Sequence, residues 1–191
     1  MSNELSSRSD YGSYVLDSRA MNIEIRRAHP DEAEILTAIA QAAKRHWNYP
    51  EDWIDQWRLD LTITPEFITD NEVFVALIDK QIAGCCALVL TDSLAEIEHM
   101  WMRPEHMGTG IGRALFEHAK RRAKERGANV LELSADPNAE GFYAHMGAQR
   151  IGEITAGMNG QEDRVLPRMR IHLDSQLSSV FSKSKDQSSK I

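Results

Sequence analysis

Cysteine is scarce: Cys85 and Cys86 are the two thiols in 191 residues, and they are adjacent. Neighbours on a strand point to opposite faces, so a structural disulfide between them is not expected. No Cys/His spacing matches a zinc site, so no metal is expected. Long apolar runs are missing too. Residues 81–90, the longest nearly uncharged stretch, are too few to span a bilayer as a helix. The N-terminal stretch carries Glu4, Arg8, Asp10, Asp17 and Arg19 without an apolar segment, so no secretory signal is read there. Basic residues are outnumbered, 22 Lys plus Arg against 29 Asp plus Glu, for a net charge of -7. Binding to a nucleic-acid backbone or an anionic membrane needs the opposite balance. These absences predict a protein of the reducing cytoplasm with neither nucleic acid nor membrane as partner.

What is present reads as one globular domain: 42% of residues are hydrophobic and 27% charged. Residues 1–21 are expected to be a flexible extension and 174–191 a disordered Ser/Lys-rich tail, leaving 22–173 as the folded unit. Within it the hydrophobic period switches repeatedly. Ile23 and Ile25 alternate on a strand over 22–27. Pro30-Asp31-Glu32 opens a helix carrying Leu36, Ile39, Ala40 and Ala43. Pro50 and Pro65 open two shorter helices. Strands are expected over 72–78, 81–90 and 94–102, then a helix over 110–126 and a strand over 130–133. A helix capped by Asp136-Pro137 runs to Met146, and strands over 150–154 and 165–173 close the domain. The order gives an α/β fold: a mixed sheet with helices on both faces and a parallel pair joined by a right-handed crossover between Leu94 and Leu133.

The stretch Arg103-Pro-Glu-His-Met-Gly-Thr-Gly-Ile-Gly-Arg113 follows a strand and opens a helix. Glycines let the backbone curl and turn successive N–H groups inward, and a helix N-terminus adds unpaired donors. Such a loop can cradle phosphate; it can equally be a glycine turn that caps a helix. A Walker A loop is excluded because Arg113 follows Gly112 where Lys is required. The dinucleotide fingerprint fails in both registers, with Arg113 or Leu115 at its third glycine.

The stretch is similar to the acyl-CoA-binding motif of the GNAT (GCN5-related N-acetyltransferase) superfamily, Gln/Arg-x-x-Gly-x-Gly/Ala. Gly110 and Gly112 fit its glycines, and Met107 departs at the Gln/Arg position. Asn138-Ala-Glu-Gly-Phe-Tyr-Ala-His-Met-Gly147 resembles a second block of that family. The resemblance spans Ile23 to Leu173. It implies the GNAT fold, mostly antiparallel with a splayed parallel pair, and an N-acetyltransferase acting on a primary amine by direct attack in a ternary complex. Acetyl-CoA is the implied co-substrate. Its pantetheine arm would lie beside Met100, Trp101 and Met102, and its pyrophosphate on the amides of Gly108, Thr109, Gly110, Ile111, Gly112 and Arg113. Asn138 would bond the arm. Tyr143 would protonate the leaving thiolate; its alternative is a core aromatic.

The resemblance aligns Glu96 with a strand glutamate that is the base in some members. Glu98 lies two residues on, on the same face unless a bulge intervenes. An ammonium of pKa ~10.4 must lose a proton before it attacks, which a carboxylate can accept directly or through water. His99 is expected on the opposite face, as a packed strand histidine. Trp47, Tyr49 and Trp53 lie where the family builds part of its acceptor wall, and Trp101 can join them from the strand; the alternative is that Trp53 and Trp57 are a core face. Residues 156–166 are a candidate lip over the site. The acceptor stays open between a small-molecule amine and a protein lysine or N-terminus, and a homodimer is implied by family analogy alone. Two non-enzymatic readings stay open beside this one: an acyl-CoA-binding module and a protein-interaction domain.

Overall fold

The computed structural model describes residues 22–158, 160 and 162–173; the expected extension and tail lie outside them. Among these residues, seven strands form one sheet: β1 (Glu24–Arg27), β2 (Glu72–Ile78), β3 (Gln81–Thr91), β4 (Leu94–Met102), β5 (Val130–Ser134), β6 (Gln149–Thr155) and β7 (Val165–His172). Their order is β1-β2-β3-β4-β5-β7-β6. Every pairing is antiparallel except β4 with β5. Among the described residues, five α-helices accompany them: α1 (Ala33–His46), α2 (Glu51–Gln56), α3 (Pro65–Asp70), α4 (Ile111–Glu125) and α5 (Glu140–His145).

The period of two along β3 sorts its side chains into two cores. Cys86 and Leu88 join Leu115, Phe116 and Ala119 of α4 on one face. Cys85 and Ala87 join Leu36 and Ile39 of α1 on the other. Both thiols are buried and unbridged, and burial raises the pKa of Cys85 to about 12. Helix α1 is entered through a tight turn at Pro30–Glu32, where the Glu32 carboxylate accepts from the His29 amide at 2.8 Å. Lys44, Arg45 and His46 occupy its last turn, where cations suit the negative end of the dipole.

Two departures from regularity build the site. Strands β4 and β5 pair over Leu94–Ile97 and Val130–Leu133 and no further, although β4 runs on to Met102. The expected parallel pair therefore parts halfway along β4. The helix expected from Asp136 to Met146 is instead a tight turn at Pro137–Ala139 followed by α5. The Asp136 side chain accepts from the Asn138 amide at 2.9 Å and fixes that turn at the end of the opened gap. Among the described residues, no helix is long and apolar enough to cross a membrane.

Candidate active site

The loop between β4 and α4 turns on two glycines in the left-handed region, Gly108 at φ 77° and Gly110 at φ 95°. A side chain at either would be strained by the backbone alone. The Thr109 hydroxyl donates to the His106 carbonyl at 2.6 Å and pins the loop. The first intrahelical bond of α4 runs from Ala114 N to Gly110 O at 3.0 Å, and no side chain caps the helix. The N–H groups of Ile111, Gly112 and Arg113 are thus the helix's unpaired donors. Those of Gly112 and Arg113 belong to residues on the wall of a cavity of about 340 Å³, lined also by Met100, Trp101, Met102, Gly108, Gly110, Asn138 and Tyr143. Most of the residues expected to contact coenzyme are thereby gathered in one place. Thr109 and Ile111 are not on the wall: Ile111 is fully buried in the core, leaving its backbone alone to serve. The Thr109 amide is bonded back to the His106 carbonyl, so the fit to a pyrophosphate joined to a pantetheine arm rests on the unpaired amides at the positive helix end and on the apolar trough.

Tyr143 is both a core residue and a cavity residue. It is 7% exposed, its ring lies 5.7 Å from that of Phe116 and 5.1 Å from that of Phe142, and it lines the cavity. Burial, with Cys86 and Asp136 as weaker contributors, raises its pKa above the ordinary phenol value. At neutral pH it holds a proton that it can give up to a strong base.

A bulge resolves the β4 acids. The register with β3 steps from Ala87↔His99 to Leu88↔Ile97, so Glu98 is the extra residue. The bulge reverses the alternation beyond it. His99, expected opposite the acids, comes with Trp101 to the face of Glu96, and the Trp101 indole nitrogen donates to His99 Nδ1 at 3.2 Å. His99 is buried, packs on Phe67, and burial lowers its pKa to about 4. The two acids have different fates. Glu96 is bonded to Arg168, which also holds Glu132 at 2.8 Å. Glu98 has no such partner among the described residues and is exposed; partial desolvation, then the charge of Glu96, outweigh the pull of Arg168 and, with a smaller push from Asp60, raise its pKa.

A second cavity, of about 610 Å³, lies beyond β4 and is lined by Lys44, Trp57, Asp60, Glu96, Glu98, Trp101, Asp136 and Arg164, among others. Glu98, Trp101 and Asp136 belong to both cavities, so the two meet there. The aromatic residues divide differently from expectation. Trp47 faces the first cavity. Tyr49 and Trp53 reach neither wall: their rings stack at 5.8 Å, and the Tyr49 hydroxyl donates to Asp136 Oδ1 at 3.0 Å while accepting from Asn138 Nδ2 at 3.0 Å. Trp57, for which a core face was the alternative to an acceptor wall, is buried and also lines the second cavity. The segments flanking residue 160 wall that cavity through Ala156, Gly157, Met158 and Arg164.

Sequence reasoning missed Lys44. Its ammonium meets Asp136 Oδ2 at 2.5 Å and lies 4.7 Å from the Trp57 ring, 5.2 Å from Tyr49 and 5.5 Å from Trp101. Burial lowers its pKa despite the attraction of Asp136. At Asp136 burial pushes upward, but the Lys44 charge and hydrogen bonds from Lys44, Asn138 and Tyr49 win and hold it below the usual carboxylate range. The signal was its position four after Ala40 on the apolar stripe of α1.

Comparison with known proteins agrees with this architecture. The model of the "Acetyltransferase (GNAT) family" matches residues 33–148. The chain is 31% identical over 134 residues to Peptidyl-lysine N-acetyltransferase YjaB of Salmonella typhimurium, covering 69% of this chain and 87% of that protein. It is 35% identical over 94 residues to Streptothricin acetyltransferase of Streptomyces lavendulae, covering 47% and 48%. Among solved structures, the PaiA N-acetyltransferase of Thermoplasma acidophilum in complex with coenzyme A superposes with a TM-score of 0.61 at 22% identity, covering 80% of this chain and 99% of that one. The chain belongs to the Acetyltransferase (GNAT) family and is an acyltransferase by class.

Proposed function

We propose that the protein transfers an acetyl group from acetyl-CoA to a primary amine by direct attack within a ternary complex. The observation that carries this reading is the meeting of two cavities at Glu98, one with unpaired helix amides and one walled by charged and aromatic groups. The amides of Ile111, Gly112 and Arg113 hold the pyrophosphate. The parted edges of β4 and β5 receive the pantetheine arm. Asn138 keeps a carbonyl oxygen for that arm, its Nδ2 being turned to Tyr49 and Asp136. Glu98 takes the proton from the amine, directly or through water; Glu96 is committed to Arg168 and serves as its electrostatic neighbour. The new N–C bond forms as the C–S bond breaks, and Tyr143 gives its proton to the departing thiolate. Much of the rate comes from holding the two reactants in register. Two buried, free cysteines suit a reducing cytoplasm.

The test is amine-dependent thiol release from acetyl-CoA. Glu98→Gln and Tyr143→Phe are each expected to lower kcat by about 10²-fold or more while coenzyme affinity is retained. Unchanged kinetics in both would remove these roles. Thiol release that never depends on an amine would favour a coenzyme-binding module.

A further inference from the structure

We propose that the acceptor is a free zwitterion of amino-acid class, bound with its carboxylate on Arg164 and its amine beside Glu98. This rests on the acetyl-transfer reading and names what the second cavity selects.

The charges on that cavity's wall do not cancel. Lys44 is satisfied by Asp136, and Glu96 by Arg168. Arg164, Asp60 and Glu98 line the same cavity, and none of the three has an ion pair among the described residues. Among the described residues, one cation and two carboxylates therefore face the space without an ion pair, the Tyr49 hydroxyl being the neutral neighbour of Arg164. A purely cationic acceptor would answer the carboxylates and leave Arg164 opposed. A neutral amine would answer neither end. An ammonium carboxylate answers both.

Arg164 is placed to be a fixed recognition group. It stands at the neck of the β6–β7 hairpin, where its carbonyl accepts from Ala156 N at 2.8 Å. Gly157 lets the two arms close, since a β-carbon there would lie 2.5 Å from the Glu162 carbonyl oxygen. The guanidinium carbon lies 4.7 Å from the Trp57 ring centre, and the Lys44 ammonium lies 4.7 Å from the same ring. Stacking on an indole sets the plane of a guanidinium. Nη2 of Arg164 is buried with no hydrogen-bond partner among the described residues. A guanidinium nitrogen taken from water without an acceptor is costly, and the planar fork matches a carboxylate in two-point contact. With that end anchored, the amine points back toward Glu98, where the two cavities join. The side chain of a lysine within a protein carries no carboxylate beside its amine and leaves Arg164 unanswered.

The experiment uses the full chain. Acetyl-CoA binding is first measured by calorimetry, and thiol release is then followed with the common amino acids as free acids and as carboxamides. A peptide with a free N-terminus and an end-blocked peptide with an internal lysine complete the set. The expected result is a kcat/KM at least about tenfold higher for a free acid than for its carboxamide or either peptide. Arg164→Gln is expected to erase that preference by raising KM for the acid, with acetyl-CoA affinity unmoved, and Arg164→Lys to keep part of it. Equal or better turnover of carboxamides or peptides overturns the zwitterion proposal and leaves acetyl transfer standing. A preference that survives Arg164→Gln does the same. Coenzyme binding with no turnover of any amine tested overturns the zwitterion proposal and favours a coenzyme-binding module over acetyl transfer. Failure of acetyl-CoA to bind overturns both readings.

Discussion

Replacing Lys44 with Met is expected to cost about 3 kcal/mol of folding stability. Lys44 and Asp136 approach to 2.5 Å with 9% of each side chain exposed, so little water is left to resolvate the abandoned carboxylate. Breaking a buried pair from one side costs ~3–5 kcal/mol. Asp136 keeps the Tyr49 hydroxyl at 3.0 Å and the Asn138 amide at 2.9 Å, which places the loss at the low end. The double change Lys44→Met/Asp136→Asn should be far milder, within about 1 kcal/mol of the parent, because it removes both charges and Asn still caps the Pro137 turn. The protonation equilibria divide the pair: the charged form of Asp136 gains on folding and that of Lys44 loses. Asp136 is held low, so its contribution is present above the unfolded carboxylate value and is lost as pH falls through the folded one. Lys44 is lowered, so the unfolded state binds more protons and stability rises with pH between its folded value and its ordinary one. Each ion gains from the other, but the lysine has surrendered more to burial than it recovers. Urea unfolding followed by tryptophan fluorescence reads the effect, since Trp57 and Trp101 flank the ammonium. At an m-value of ~2 kcal/mol/M the single change moves the midpoint by more than ~1 M. Two single variants each costing under about 1 kcal/mol, or a double variant equal to their sum, would refute the reasoning.

Glu98→Gln should depress turnover more than Glu96→Gln. The kcat/KM of the parent should rise with pH through a value above the ordinary carboxylate range, because the base works deprotonated and its pKa is raised; an unshifted acid limb would contradict this. Arg168→Gln strands Glu132, which is 9% exposed at its side chain, and should cost ~3 kcal/mol in urea unfolding, eased by the remaining Arg170 contact at 2.5 Å. Trp47→Ala should weaken acetyl-CoA binding, since Trp47 lines the first cavity, whereas Trp53→Ala should leave both substrate KM values in place. Thiol-reactive probes should leave Cys85 and Cys86 unmodified until the protein unfolds, since both are buried and burial raises both pKa values.

The strands and helices were legible because their periods are clean. Residues 81–90 alternate between two cores, and the apolar stripe of α1 runs unbroken from Leu36 to Ala43. The glycine loop was legible because a left-handed backbone needs Gly108 and Gly110 in any sequence that builds it. What escaped depends on contacts distant in the chain. The bulge at Glu98 leaves no mark in the pattern of residues 94–102, yet it turns His99 and Trp101 to the face opposite from that of strict alternation. Glu96 reads as a free acid until β7 brings Arg168 against it, 72 residues away in sequence. Lys44 and Asp136 lie 92 residues apart, so neither predicts the other. The indole cluster announced itself by composition, but which rings reach a cavity depends on how α2 lies against α1.

Calorimetric titration of acetyl-CoA into the parent protein and a Gly110→Glu variant tests the coenzyme site most directly. Gly110 sits at φ 95° with nothing within 4 Å of where a β-carbon would stand, so the variant meets no clash. Backbone strain there costs ~1–2 kcal/mol, which a folded domain withstands, while the new carboxylate would repel a pyrophosphate at the proposed cradle. Micromolar binding by the parent, abolished in a folded variant, is the result predicted. No binding by the folded parent, or equal binding by both, would contradict the coenzyme site and the acetyl transfer built on it.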